Sequence, residues 1–187
     1  MTGFAFTGSF CTLSSALSVY ERLIAQGEDL LPILSERVYE TDTRFFSARE
    51  FTERVRAVSK RPIVHTVEGA EPFGAITPLD CLIIAPCTGN TLAKISHGIT
   101  DSAVTMAAKA HLRCDRPTLI ALSSNDAMSQ NLANISTLLS RKSVYFVPMR
   151  QDDPIGKPHS LVADYTLLMD SLSAMREGKQ KRPLFLI

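Results

Sequence analysis

Apolar positions along the chain alternate between short solid runs and longer stretches in which they recur at helical spacing. Phe4-Ala5-Phe6-Thr7 is a short apolar run that stops at Gly8-Ser9; Leu13, Ala16, Leu17, Tyr20, Leu23 and Ile24 then mark one face of a helix that Gly27 ends. Leu30 to Leu34 reads as a second strand, Thr43 to Ser59 as a helix carrying Phe46, Val55 and Val58, and Pro62 to Val67 as a third strand. Glu68 to Pro78 holds Gly69, Pro72, Gly74 and Pro78 without any period, so a loop is expected there. Cys81 to Ala85 is a buried strand by length and composition. Helices are predicted over Asn90 to His97 and Ser102 to Leu112, with Gly98 between them, and over Ala127 to Leu139. Thr118 to Leu122 and Val144 to Val147 read as strands, the latter closed by Pro148. Gln151 to Pro158 is a loop, and Leu161, Tyr165, Leu168, Leu172 and Met175 form one face of a final amphipathic helix.

Strands that are apolar throughout and alternate with helices imply a parallel sheet covered on both faces, because each parallel pair needs a crossover. The expected fold is therefore a three-layer α/β/α, doubly wound domain of the flavodoxin or Rossmann-like kind, spanning residues 1–176. Residues 177–187, a basic linker with the apolar tip Leu184-Phe185-Leu186-Ile187, are expected as a frayed tail, or as a segment that docks on a neighbouring subunit.

The 187 residues carry 20 Lys+Arg against 19 Asp+Glu, a formal charge of +1. That balance argues against a dedicated nucleic-acid binder, which shows a basic excess gathered in a stripe. With 45% hydrophobic and 21% charged residues the chain has material for a sizeable core, so neither disorder nor a metal or disulfide staple is called for. Cys11, Cys81, Cys87 and Cys114 form no C-x-x-C pair, and no secretory signal precedes the first strand; a cytoplasmic protein with reduced thiols is expected. The apolar run before Pro86 is far too short for a membrane span.

In a doubly wound sheet, ligands bind beyond the carboxyl ends of the strands. The places to search are Gly8-Ser9, Ser35, His65, Ala85 to Thr91 and Leu122 to Met128. Thr7-Gly8-Ser9-Phe10 has a glycine at a sharp turn, a hydroxyl and the free amides of a helix start, which suit a phosphate; lacking G-x-G-x-x-G, it fits a monophosphate better than a dinucleotide. In Pro86-Cys87-Thr88-Gly89-Asn90-Thr91, Thr88 is placed to cap the next helix, a structural role that leaves Asn90, with a carboxamide donor and acceptor, unexplained. His65 is either a proton carrier near neutral pH or a half-buried loop residue. His97, His111 and His159 lack metal-ligand spacing and read as surface or packing residues, and Asp152-Asp153 as solvated loop carboxylates. Cys11 and Cys87 both lie near helix starts, where a thiol pKa can fall.

The run Ile84-Ala85-Pro86-Cys87-Thr88-Gly89-Asn90-Thr91-Leu92-Ala93-Lys94-Ile95, followed by Gly98-Ile99-Thr100-Asp101, resembles the P-A-x-x-N-T-x-A-K-I-A-x-G-I-x-D signature of the homo-oligomeric flavin-containing cysteine decarboxylases and their relatives. The resemblance spans about residues 3 to 150. It implies a flavoprotein fold with FMN held by Gly8, Ser9, Phe10, Ser35, Pro86, Thr88, Gly89, Asn90, Thr91 and Met128. It further implies His65, Asn90 and Asn125 as catalytic residues, and trimers or multiples of them with the cofactor near a subunit interface. One segment departs. Where the decarboxylases have P-A-M-N-x-x-M, this chain has Leu122-Ser123-Ser124-Asn125-Asp126-Ala127-Met128, keeping only the Asn and the last Met.

Glu71-Pro72-Phe73-Gly74 with Pro78-Leu79-Asp80, Met106 to Ala110 with Leu112-Arg113, and Gln151 to Pro154 ahead of Lys157-Pro158 and Ser160 to Asp164 are similar instead to a sporulation branch of that superfamily, the B subunits of dipicolinate synthase. That resemblance implies one component of an oxidoreductase that forms dipicolinate from a dihydrodipicolinate-type precursor, with NADP on the partner, the A subunit of dipicolinate synthase. The substrate's two carboxylates call for cations, with Lys94, Lys109 and Arg113 as candidates. A free-standing FMN-dependent decarboxylase of a cysteine-like substrate and a non-catalytic scaffold for the A-type partner are the alternatives. No metal site is expected.

Overall fold

A computed structural model describes residues 1–187. The elements, in chain order, are β1 (Thr2–Phe6), α1 (Leu13–Ala25), β2 (Leu30–Leu34), α2 (Glu36–Glu40), α3 (Ala48–Ser59), α4 (Val67–Ala70), β3 (Cys81–Thr88), α5 (Gly89–His97), α6 (Ala103–Leu112), β4 (Thr118–Ser124), α7 (Gln130–Leu139), β5 (Val144–Phe146), β6 (Met149–Arg150), β7 (Leu161–Ala163) and α8 (Leu168–Arg176). The strands form one sheet in the order β2-β1-β3-β4-β7-β6, with β5 also on β4. β2, β1, β3, β4 and β5 pair in parallel, and β7 is antiparallel to both β4 and β6. From β1 the chain moves outward to β2 and then crosses back to β3, which makes the β1/β3 boundary the topological switch point.

The side-chain period of two assigns successive strand residues to two cores. Ala5, Leu31, Ile33, Leu82, Ile84, Ile120 and Leu122 enter one cluster of 26 buried residues, beneath α5, α6 and α7. Phe4, Phe6, Leu30, Leu34, Ile83, Leu119 and Ala121 enter a second of 23, beneath α1, α3 and α8. In the second, Tyr20 meets Phe4 and Phe6 edge-on at 5.1 and 5.4 Å, and burial pushes its phenol up to about 12. The fold is the three-layer α/β arrangement expected, with an antiparallel edge added to the parallel sheet.

Five local expectations are corrected. The helix drawn from Thr43 begins only at Ala48, because Ser47 caps it by accepting from the Glu50 amide, while the Thr43 hydroxyl accepts from Phe45 and Phe46 in a turn. The strand at Pro62 to Val67 shrinks to a single bridge between Val64 and Ile33. Pro62 offers no N–H, and Thr66 caps α4 by accepting from the Gly69 amide, which also puts a helix inside the expected Glu68 to Pro78 loop. The single helix from Leu161 to Met175 is a strand followed by a helix: Leu161 belongs to one core and Leu168, Leu172 and Met175 to the other, so no one helix face holds them all. Finally, the C-terminal tail packs on its own sheet rather than fraying, although Phe185 and Ile187 at its apolar tip stay exposed. Gln180 bonds both backbone groups of Phe146, and Met149 pairs with Leu184 and Leu186, so the tail lines the sheet edge.

Candidate functional site

The carboxyl ends of β1 and β3 are pinned together by Thr7. Its hydroxyl donates to the Pro86 carbonyl at 2.7 Å and accepts from the Thr88 amide at 3.0 Å, and its own amide donates to Pro86. Thr7 is 1% exposed, so these bonds lie in low-dielectric surroundings. Beyond this clamp a crevice opens, which Gly8, Phe10, Thr88 and Asn90 divide into two compartments.

The compartment on the β2 side has a volume of about 580 Å³ and is lined by Ser35, Glu36, Arg37, Thr91, Lys94 and Asp101 among others. Ser35 starts α2 but its hydroxyl caps nothing; the oxygen is buried without a hydrogen-bond partner. The backbone amides of Gly8, Phe10 and Cys11 likewise donate to no protein acceptor. A Cβ on Gly8 would stand 3.6 Å from Arg37 Cβ, so the β1–α1 loop lies against the first turn of α2. Lys94 pairs with Asp101 at 2.7 Å and holds that carboxyl below its ordinary pKa, whereas Arg37 and Glu36 are exposed and form no ion pair. A buried orphan hydroxyl, unengaged amides and a free guanidinium together make a fitting cradle for the phosphate of a flavin mononucleotide.

The compartment on the β4 side has about 600 Å³ and is lined by Ser9, Cys11, Ser123, Asn125, Asp126, Asp152, Lys157 and Ser160 as well as the shared residues. It exists because β4 changes neighbour along its length: β5 covers Thr118 to Ile120, and β7 covers Ser123 and Ser124. Asp126 accepts from the Ser124 hydroxyl and from Asn131 Nδ2 at 2.9 Å, and these donors, the Ser124 hydroxyl foremost, lower its pKa. A Cβ on Gly89 would overlap the Ser124 hydroxyl and stand 2.6 Å from Asn131 Nδ2, so only glycine lets α5 start this close to the β4 end. Burial, the largest single influence on Asp152, works against its ionisation, but the Lys157 ammonium 3.0 Å away and the Ser160 hydroxyl together outweigh it and keep the carboxyl below its usual range. The Ser123 and Tyr165 hydroxyls are buried without partners beneath this side, and burial raises the Tyr165 phenol.

Of the residues expected at the site, Gly8, Ser9, Phe10, Ser35, Thr88, Gly89, Asn90, Thr91 and Asn125 line the crevice. Asn90 faces both compartments, Ser35 and Thr91 only the first, Ser9, Gly89 and Asn125 only the second. Thr88 caps α5 by accepting from the Thr91 amide at 3.1 Å. Pro86 contributes its carbonyl to the Thr7 clamp and lines neither compartment. Two residues are not brought in. His65 is stacked flat on Tyr39, with ring centroids 3.7 Å apart, because the Val64 bridge ties it to the outer edge of β2. Met128 lies 43% exposed in an apolar groove with Leu132, Met149 and Phe185. Cys87 is fully buried and its thiol is pushed up, opposite to the expected effect of a helix start, because desolvation dominates. The pattern missed Arg37, whose signal was a polar pair directly after Ser35, and Lys157; it searched Leu122 to Met128 without singling out Ser123 or Asp126, and it read Asp152, which lines the second compartment, as a solvated loop carboxylate. No group of three or more His, Cys, Asp or Glu is placed to hold a metal ion, and no helix is long and apolar enough to cross a membrane.

Residues 3–172 match the Flavoprotein family. This chain belongs to that family. Within it the chain is 37% identical over 182 residues to the B subunit of dipicolinate synthase from Bacillus subtilis (strain 168), a match covering 97% of this chain and 91% of the relative. The crystal structure of the dipicolinate synthase B subunit from Bacillus halodurans C superposes with a TM-score of 0.91 at 41% identity, over 100% of this chain and 95% of that one. An FMN-dependent cysteine decarboxylase, SpaF, superposes at 0.68 with 21% identity, over 95% of both chains, and shares the flavoprotein fold. The Flavoprotein family's sheet thus accounts for the switch-point crevice, while the β7 edge and the 151–160 loop shape its second compartment.

Proposed function

We propose that this chain is the B-type component of a dipicolinate synthase, a flavin-binding subunit that works with an A-type partner carrying NADP to oxidise a dihydrodipicolinate-type precursor to dipicolinate during sporulation. The observation that supports it most is the likeness along the full chain to two dipicolinate synthase B subunits, at 37% and 41% identity. FMN is the cofactor that suits the crevice, its phosphate on Ser35, the Gly8 and Phe10 amides and Arg37. Bound there, it would supply two-electron redox chemistry. The reaction removes two hydrogens from the ring, a hydride equivalent that NADP on the partner accepts and a proton that needs a base. Asn90 and Asn125 both line the second compartment, and their carboxamides would orient a substrate carboxylate or the flavin edge. His65, outside its own crevice, can serve as the base only by reaching the crevice of a neighbouring copy, which ties the proton-transfer role to a trimer or a multiple of it.

The test is reconstitution with the A-type partner, NADP and the dihydropyridine precursor, following dipicolinate and measuring flavin released on denaturation. Asn90→Ala and His65→Ala should each lower dipicolinate formation by about 10² to 10⁴ with assembly intact. A partner that is fully active alone, with no flavin in this chain, would replace this reading by a scaffold. Carbon dioxide release from a cysteine-terminated peptide would replace it by a decarboxylase.

A further inference from the structure

Lys109 and Arg113, two of the three cations expected to hold a substrate, line neither compartment of the crevice and meet Arg141 around a separate cavity. Its volume is about 230 Å³, and its lining is completed by Ile95, Ile99 and Leu112 with Gly98, Thr100 and Thr105. No acidic residue lines it, and none of the three cations forms an ion pair or a side-chain hydrogen bond within the protein. Their ordinary role would be to complement helix ends, since Lys109 lies in the last turn of α6, Arg113 is its C-cap and Arg141 follows the C-cap of α7. With Gly98 ending α5, three helix C-termini converge here, each equivalent to about half a negative charge. Three full cations exceed that by a factor of about two, so net positive potential remains in the cavity. Arg113, though exposed, lies along the chain at Gly74. Its guanidinium lies across Gly74, where a Cβ would stand 2.8 Å from Nε and 2.9 Å from Nη2.

We infer that this cavity is a second ligand site, for a small dicarboxylate with a flat apolar body: the guanidinium and ammonium groups take the carboxylates, and Ile95, Ile99 and Leu112 take the body. An inorganic anion would use the cations but leave the apolar wall unpaired. The ligand class follows from the lining alone, while the choice of pyridine-2,6-dicarboxylate as first probe rests on the proposed function.

Isothermal titration of the full chain should show binding of pyridine-2,6-dicarboxylate and of benzene-1,3-dicarboxylate, both tighter than inorganic phosphate and both weakened by salt. Arg113→Gln and Arg141→Gln should each lower affinity about tenfold, the loss of one charge-assisted pair. Flavin content, which reports the crevice, should not change in either variant. Phosphate binding as tightly as the dicarboxylates, affinity unaltered in both variants, or no binding of any probe would overturn the inference. Binding of the benzene compound but not the pyridine one would uphold the site while removing its link to dipicolinate chemistry.

Discussion

The two compartments of the crevice share four residues and differ in how they are made and charged. The β2 side is built from the ends of consecutive parallel strands and the helices that follow them, and it holds an unpaired Arg37 beside an orphan Ser35 hydroxyl. The β4 side is closed by an antiparallel strand and a distant loop, and its charges, Asp126, Asp152 and Lys157, lean acidic. Under the proposed function a phosphate would sit on the first side, whereas the second would take a neutral ring edge or a group that donates hydrogen bonds.

Ser35→Asp breaks this difference most directly. A carboxylate about 4 Å from a phosphate costs about 4 kcal/mol at an effective dielectric of about 20, so flavin affinity should fall on the order of a thousandfold. Flavin released on denaturation of the purified variant measures it. Ser9→Asp, facing the other compartment, should lose less affinity, and equal losses would mean that the compartments are not distinct. Next in size is Thr7→Val, which is isosteric but leaves the Thr88 amide unpaired in a partly buried place; a loss of about 1–3 kcal/mol in urea unfolding is expected, with both compartments loosened together.

Acid titration sharpens the contrast more gently. Asp101 and Asp126 both ionise more readily folded than unfolded, so each adds stability that is complete above the ordinary carboxylate range and lost as pH falls through its lowered folded value. Asp101 is held chiefly by the Lys94 ammonium, Asp126 chiefly by the neutral Ser124 hydroxyl. Raising the salt concentration should move Asp101 back toward its ordinary value and leave Asp126 in place, as carboxyl carbon NMR can show. Smallest is Lys157→Ala, which removes a half-exposed ion pair with Asp152 and should change stability by less than about 1 kcal/mol.

Much of the crevice was legible because its first compartment is local. Gly8, Ser35 and the Thr88 cap each directly follow a solid apolar run, so finding the run finds the residue at its carboxyl end. Asn90 was legible for the same reason. His65 and Met128 were placed by the same rule and lie elsewhere: the run before His65 pairs through Val64 alone, and Met128 lies beyond a turn whose direction β7 sets. Arg113 and Lys109 were selected by charge, which says nothing about position, and they came together with Arg141 only through packing of α5, α6 and α7.

The sequence by itself determined the layered fold and the switch point, because strands apolar on both faces have no stable place except between two helix layers, and Gly27 and Gly98 end the helices between them. It also determined a crevice that opens at the ends of β1 and β3. Only the tertiary structure decided what closes that crevice. Leu161 to Ala163 has too few residues to declare its own period, and it becomes a strand because Ser123 and Ser124 offer an unpaired edge once β5 has ended. That single long-range pairing brings Lys157 and Ser160 into one compartment with Asn125, an arrangement that no local spacing could announce.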